Sequence, residues 1–339
     1  VRKLVVVVLV AALAACDSPR PTERASIECA AGSVTAQGSS AQANAVSAWI
    51  KDYQVSCDQA TISYAGVGSS AGLRGFLAGQ GDFAGSDSPI APADRARATA
   101  RCKGPALHLP MAVGPIALAY TVAGVDDLRL SPATIARIFG GEITRWNDPR
   151  VTAENPGVTL PGTPVRTVHR SDGSGTTDNF RKFLAATGPG TRWPPREGIG
   201  VAGSNRMAAE IERTDGAIGY VEASYARFHN LPTVRVGNAS GQFVALSDAA
   251  AARTVAAART TGTDGDLPLE LNYRTGDPLA YPLVLVTYEI ACRQGTSELA
   301  KSFLTYAASS AGQQTATRSG YAALPEELRT AVARSVASL

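Results

Sequence analysis

Four short stretches rich in glycine and serine stand at the ends of apolar, β-prone runs in this 339-residue chain. They are Gly38-Ser39-Ser40, Gly66-Val67-Gly68-Ser69-Ser70, Gly85-Ser86-Asp87-Ser88, and Arg170-Ser171-Asp172-Gly173-Ser174-Gly175-Thr176-Thr177. Each reads as a turn that opens a helix. A helix start offers N–H groups without intrahelical partners and the positive end of the macrodipole, and hydroxyls add neutral donors. Arg170 supplies a planar fork suited to two oxygens of a tetrahedral oxyanion. One such turn is ordinarily only a turn or a cap. Four of them meeting at one point would hold an anion.

Chemistry on the bound group is harder to find. Ser171 and Ser174 lie near His169 and Asp172, but as neighbours on one strand or loop, and no GxSxG elbow exists to make a serine hydrolase. No Gly-Lys pair occurs, so a phosphate P-loop is excluded. The segment Gly66-x-Gly68-x-x-Ala71, with Asp87 nineteen residues past Gly68, loosely fits a dinucleotide fingerprint. An NAD-binding enzyme is therefore the formal alternative, although that pattern leaves Arg170 to Thr177 unexplained. The three histidines are far apart and no CxxC is present, so neither a metal nor another cofactor is expected.

The elements that must position these residues follow from periodicity. Ser33 to Ala36 leads into a helix marked by Val46, Trp49, Ile50 and Tyr53, and Thr61 to Ala65 into Leu73, Phe76 and Leu77. Asp82 to Ala84 precedes the third turn, and Val165 to His169 precedes the fourth, which runs into Phe180, Phe183 and Leu184. Strand, turn, helix in repetition predicts an α/β fold with largely parallel sheets, whose ligands sit beyond the carboxyl ends of the strands. The chain is longer than one core usually supports. The expected division is 29–113 plus 286–339 as one domain and 114–285, with strands at Ile116 to Tyr120 and Ala217 to Val221, as the other. The apolar run Tyr281 to Ile290 and the helix around Lys301 to Ala308 return the chain to the first domain. Two crossings make a hinge and an interdomain cleft.

Residues 1–16 read as a secretory signal peptide: Arg2 and Lys3, an apolar run from Leu4 to Leu13 too short to span a bilayer, then Ala14 and Ala15. Leu13-Ala14-Ala15-Cys16 resembles a bacterial lipoprotein box, which makes Cys16 the expected site of lipidation, with 17–28 as a tether. That places the chain on the outer face of the cytoplasmic membrane, held by lipid alone. Cys29, Cys57, Cys102 and Cys292 remain, an even number in an oxidising compartment. Three pairings are possible; Cys29 with Cys57 is favoured because each precedes a predicted strand, which leaves Cys102 with Cys292. With Lys and Arg totalling 32 against 29 acids and a net charge of +3, there is no basic stripe of the kind nucleic-acid binders carry.

The order GSS, YAGVGSSAG, FAGSDSP, RSDGSGTT, GAIGYVE resembles the phosphate-binding proteins of high-affinity phosphate ABC transporters. The resemblance covers roughly Ser33 to Leu328, and Gly141 to Val151, with Trp146, Asp148 and Pro149, looks like a further signature. It implies a two-domain periplasmic binding protein (type II-like, Venus flytrap) that captures inorganic phosphate and hands it to transmembrane permease subunits, as a monomer and without turnover. Carried across by motif, it implies donors from Ser39, Ser40, Ser69, Ser174, Gly175 and Thr176, a charged contact from Arg170, and Asp172 orienting that arginine. Where the family commonly has an aromatic and a proline after its first turn, Ala41 and Gln42 follow Ser40, whose contact is accordingly expected from its backbone N–H. The family's hallmark carboxylate falls on Asp87. Phosphate keeps a proton at neutral pH and can donate it to a carboxylate; sulfate would meet that carboxylate acceptor to acceptor. A receptor for another oxyanion, sulfate or molybdate, is the nearer alternative, and Asp87 argues against it.

Overall fold

The computed structural model describes residues 27–189, 193, 195 and 197–339. The signal peptide, Cys16 and all but the end of the tether lie outside the described residues.

The first part of the chain lays down β1 (Gly32–Gly38), α1 (Ala43–Ser56), β2 (Ala60–Ala65), α2 (Ser69–Leu77), β3 (Phe83–Ser86) and α3 (Arg95–Cys102). In β1 and β2 burial alternates residue by residue, with Val34, Ala36 and Ile62 turned into the core. The expected face of α1 is buried through Val46, Trp49 and Tyr53, and the Trp49 indole donates to the Gly312 carbonyl at 2.7 Å. The third turn departs from expectation, because no helix follows it directly. Ser88 and Ala91 precede Pro89 and Pro92, and a residue before proline is pushed out of the helical region. The chain therefore runs on through Asp87 to a single 3-10 turn at Pro92–Asp94.

Two long strands join the halves. β4 (Ala106–Thr121) and β13 (Val284–Cys292) are almost wholly buried and mostly apolar, with His108, Thr287 and Glu289 among the exceptions, as expected of strands covered on both faces. Between them in sequence lie β5 (Arg129–Leu130), α4 (Pro132–Phe139), α5 (Pro149–Glu154), β6 (Arg166–Arg170), α6 (Gly175–Thr187), β7 (Ile199–Val201), α7 (Ser204–Arg213), β8 (Ala217–Glu222), α8 (Ala223–Phe228), β9 (Arg235–Gly237), β10 (Phe243–Val244), α9 (Asp248–Ala256), β11 (Arg259–Thr260) and β12 (Leu269–Glu270). Helices α10 (Glu298–Ala308), α11 (Ser310–Arg318) and α12 (Glu326–Ala337) close the chain.

Eight strands form one curled sheet in the order β2-β1-β3-β13-β4-β8-β6-β7. It is mixed. The pairs β1/β2, β1/β3, β6/β8 and β6/β7 are parallel, whereas β13 runs antiparallel to β3 and β4, and β4 antiparallel to β8. β4 changes partner within its length: Ala106 to Pro115 pairs with β13, and Ile116 to Thr121 pairs with β8. The β4/β13 register shifts between Thr287 and Tyr288, opposite Ala112 and Pro110, which leaves Met111 bulged beside a proline that has no N–H to give. The signature residues of 141–151 prove to be structural: the buried Trp146 indole donates to the Gly216 carbonyl at 3.1 Å, and Asp148 caps α5 by accepting from the Arg150 N–H at 2.9 Å.

Both disulfides join the favoured partners, Cys29 to Cys57 and Cys102 to Cys292. The second closes a separation of 190 residues against 28 for the first, and ties the end of α3 to the end of β13. By loop-closure entropy the long link contributes about 5 kcal/mol and the short one about 3–4 kcal/mol. Urea unfolding should therefore show Cys102→Ser/Cys292→Ser as the more destabilised double variant. The reverse order would mean that packing around Cys29 and Cys57 outweighs chain entropy.

Candidate anion-binding site

The turn after β1 is pinned by the Ser39 N–H to the Gly85 carbonyl at 2.8 Å, and the Tyr64 hydroxyl donates to the Ser39 carbonyl at 2.8 Å. This aims the Ser39 hydroxyl at Asp87 Oδ2, 2.7 Å away. Ser69, first residue of α2, places its Oγ 3.4 Å from the same carboxylate oxygen and accepts from the N–H of Asp87 at 3.2 Å and of Gly175 at 3.3 Å. Gly175 opens α6 so close to Asp87 that a Cβ on it would stand 2.6 Å from the Asp87 Cβ and 2.7 Å from Ser69 Oγ. Ser174 caps α6 by accepting from the Thr177 N–H at 3.2 Å, which leaves its hydroxyl proton to donate. Thr176 is buried and its Oγ1 has no partner.

Arg170 ends β6 with its side chain only 2% exposed. Its Nε and Nη2 donate to the two oxygens of Asp172 at 2.6 and 2.5 Å. Burial alone would raise the Asp172 pKa, but the guanidinium overrides it and holds the carboxyl below its usual range. The pair leaves Nη1 and the second N–H of Nη2 for other partners, and Nη1 donates to Ser204 Oγ at 3.4 Å.

Asp87 is 3% exposed, and burial lifts its pKa to about 6 against the pull of Ser39 and Arg170. One oxygen is occupied by hydroxyls. The other, Oδ1, is buried without a hydrogen-bond partner. A buried acceptor left unmade costs about 1–3 kcal/mol, more when charged, so the site asks for a donor.

The residues expected to bind and orient thus lie at the carboxyl ends of β1, β2, β3 and β6: Ser39, Ser69, Asp87 and Gly175 are in mutual contact, with Ser174 and Thr176 flanking Gly175, and Arg170, paired with Asp172, meets Ser40 through Ser204. The contact expected of Ser40 is its backbone N–H, and its side chain is engaged with another residue: its hydroxyl meets Ser204 Oγ at 2.9 Å and accepts the Ser204 N–H at 3.1 Å, across the cleft. Gly203-Ser204, which opens α7, is not among the residues expected from sequence. It follows β7, a strand of only three residues with no apolar run to announce it. Asn179 is another addition, donating to the Asp87 carbonyl at 2.7 Å.

The alternative chemistries lose their footing here. A Cβ on Gly68 would lie 2.8 Å from Asp172 Oδ2 and 2.9 Å from the Gly173 carbonyl, so this glycine makes room for the loop after β6 rather than for a dinucleotide. His169 alternates with Arg170 on β6. Its Nδ1 is buried and unpartnered, and it bonds neither Ser171, Ser174 nor Asp172.

A two-lobed α/β scaffold that buries hydroxyls and helix N-termini beside one arginine has the architecture of a periplasmic-type solute-binding protein, and comparison with known proteins agrees. The family model of the PBP superfamily domain matches residues 24–311. Phosphate-binding protein PstS 3 of Mycobacterium tuberculosis is 38% identical over 317 residues, covering 89% of this chain and 85% of that protein. PstS2 of Mycobacterium bovis is 39% identical over 314 residues, covering 88% and 85%. The solved phosphate binding protein of Stenotrophomonas maltophilia superposes with a TM-score of 0.67 at 19% identity, covering 90% of this chain and 94% of that one, a likeness of fold. The chain belongs to the PBP superfamily and, within it, to the PstS phosphate-binding proteins.

Proposed function

We infer that this chain is the substrate-binding protein of an ABC transporter, capturing inorganic phosphate between its lobes and delivering it to the permease. The observation that carries the reading is Asp87: a buried carboxylate with one oxygen unpartnered, set among hydroxyls, helix N-termini and Arg170. Such a set suits an oxyanion that accepts from all sides and donates one proton. Phosphate at neutral pH is that anion.

The lobes are 29–113 plus 286–339 and 114–285, hinged where β4 changes partner and where β13 returns. Ser39, Ser40, Ser69 and Asp87 come from the first lobe; Arg170, Ser174, Gly175 and Thr176 come from the second. Contacts between them, such as the Ser70 N–H to the Gly173 carbonyl at 3.2 Å, exist only when the cleft is shut, so a ligand touching both sides favours closure. The binding is not followed by turnover: the residues around the anion position donors and one acceptor, and none is an activated nucleophile. Among the described residues no helix is long and apolar enough to cross a membrane. Lipidation of Cys16, the tether to residue 28, the monomeric state and the place on the outer face of the cytoplasmic membrane complete the proposal.

Calorimetric titration of the phosphate-stripped protein tests it. Tight binding of phosphate with sulfate inert is expected, and silence toward phosphate would sink the reading. Gly175→Ala probes the same geometry. Its Cβ would collide with the backbone-fixed side of Asp87 only in the shut cleft, so phosphate affinity should fall about 5- to 150-fold, in line with the roughly 1–3 kcal/mol of overpacking, while unfolding of the ligand-free protein changes little.

A further inference from the structure

Two helices on opposite sides of the cleft begin alike. Gly68 (φ 95°, ψ 148°) precedes Ser69 at the start of α2, and Gly203 (φ 80°, ψ 155°) precedes Ser204 at the start of α7. The two helix starts flank the Arg170–Asp172 pair: Gly68 is packed against Asp172 Oδ2, and the Gly203 N–H donates to Asp172 Oδ1 at 3.3 Å. Because Asp172 occupies Nε and one edge of Nη2, an anion reaching Arg170 must come to the end of the guanidinium that Nη1 and the second N–H of Nη2 present. Ser204 Oγ already stands 3.4 Å from Nη1, and Ser204 is only 2% exposed. Asp87, which shares Ser69 with the N-terminus of α6, and Thr176 of that helix each hold a buried polar atom without a partner, Oδ1 and Oγ1, as a site that awaits a polar ligand would.

The geometry points to Ser204 as a further direct ligand of the bound oxyanion, giving its hydroxyl, with the N-terminus of α7 behind it, to the oxygen that Arg170 Nη1 holds. This rests on the phosphate-capture reading above. Ser40 Oγ now stands where that oxygen would come, accepting the Ser204 N–H at 3.1 Å and lying 2.9 Å from its hydroxyl. Phosphate, a stronger acceptor than a hydroxyl, displaces it. Ser204 then senses the anion from the lobe opposite Ser39 and Ser69.

The test is phosphate titration of the parent chain, Ser204→Ala, Ser204→Thr, Ser40→Ala and the Ser40→Ala/Ser204→Ala double variant, each with its ligand-free melting curve. A hydrogen bond to a charged group sets the expected loss for Ser204→Ala at roughly ten- to a hundredfold in Kd, with threonine recovering most of it. The loss should persist when Ser204→Ala is made on the Ser40→Ala background. If it vanishes there, Ser204 acts only by bonding Ser40 and the inference is overturned; an unchanged Kd for Ser204→Ala alone overturns it as well. A parent chain that ignores phosphate is a different result, which removes the phosphate reading and this ligand with it.

Discussion

Replacing Arg170 with methionine should weaken phosphate binding by about 30-fold or more, because truncating one partner of a buried, hydrogen-bonded charge pair between receptor and ligand costs about 2–5 kcal/mol. Two losses act together. The anion loses its only full positive charge within the described site, and Asp172 loses both of its guanidinium bonds while remaining beside the anion. Its surviving donor is the Gly203 N–H at 3.3 Å. Arg170→Lys should rescue little, since an ammonium on a flexible stem cannot hold Asp172 with two nitrogens and offer a third to the ligand. Adding Asp172→Asn to Arg170→Met should restore ligand-free stability without restoring affinity, which separates the structural part of the pair from the binding part. A loss of less than tenfold in the calorimeter would move the charged contact away from Arg170.

How far such a site can be read from residues alone depends on what each residue answers to. The turns after β1, β2 and β6 are legible because local chemistry decides them: alternating burial, then glycine and serine, then apolar side chains at helical spacing. Strand β4 is legible only from Ile116 onward. Its first half, Ala106 to Pro115, is apolar on both faces and carries Pro110 and Pro115, so it shows neither alternation nor freedom from strand breakers; it is a strand because β13 pairs with it through a shifted register. Asp87 is legible as a site residue but not as the end of a strand that runs on without a helix, a matter settled by Pro89 and Pro92. Ser204 is the instructive omission. Its strand is three residues long, and its meaning arises from contact with Ser40, 164 residues earlier. No local pattern encodes that distance.

Sulfate should begin to bind the parent chain as the pH falls through about 6, where Asp87 gains a proton and turns from acceptor to donor. Above that pH its carboxylate faces sulfate acceptor to acceptor, and below it the same atom bonds the anion. From pH 8 to pH 5 the protonated fraction rises enough for sulfate affinity to gain up to about 100-fold. Phosphate, which carries its own proton throughout, should change far less. Asp87→Asn removes the switch: its amide donates at every pH, so sulfate should bind with little pH dependence and the preference for phosphate should shrink to within about tenfold, since only the lost acceptor still separates the two anions. The same shift has a consequence for stability. The folded carboxyl, with a pKa near 6, holds a proton that the unfolded one, at 3.8, has released. Stability from this group is therefore complete below 3.8 and is lost as pH rises through 6, by roughly 3 kcal/mol at pH 7. Ligand-free Asp87→Asn should accordingly melt higher than the parent at pH 7 and lose that advantage at pH 4, while its selectivity is worse than the parent's at pH 7 and no different at pH 4, where the parent's carboxyl is itself protonated. Sulfate affinity that stays flat from pH 8 to pH 5 in the parent chain would show that Asp87 does not face the ligand, and the discrimination would have to be sought in the donors alone.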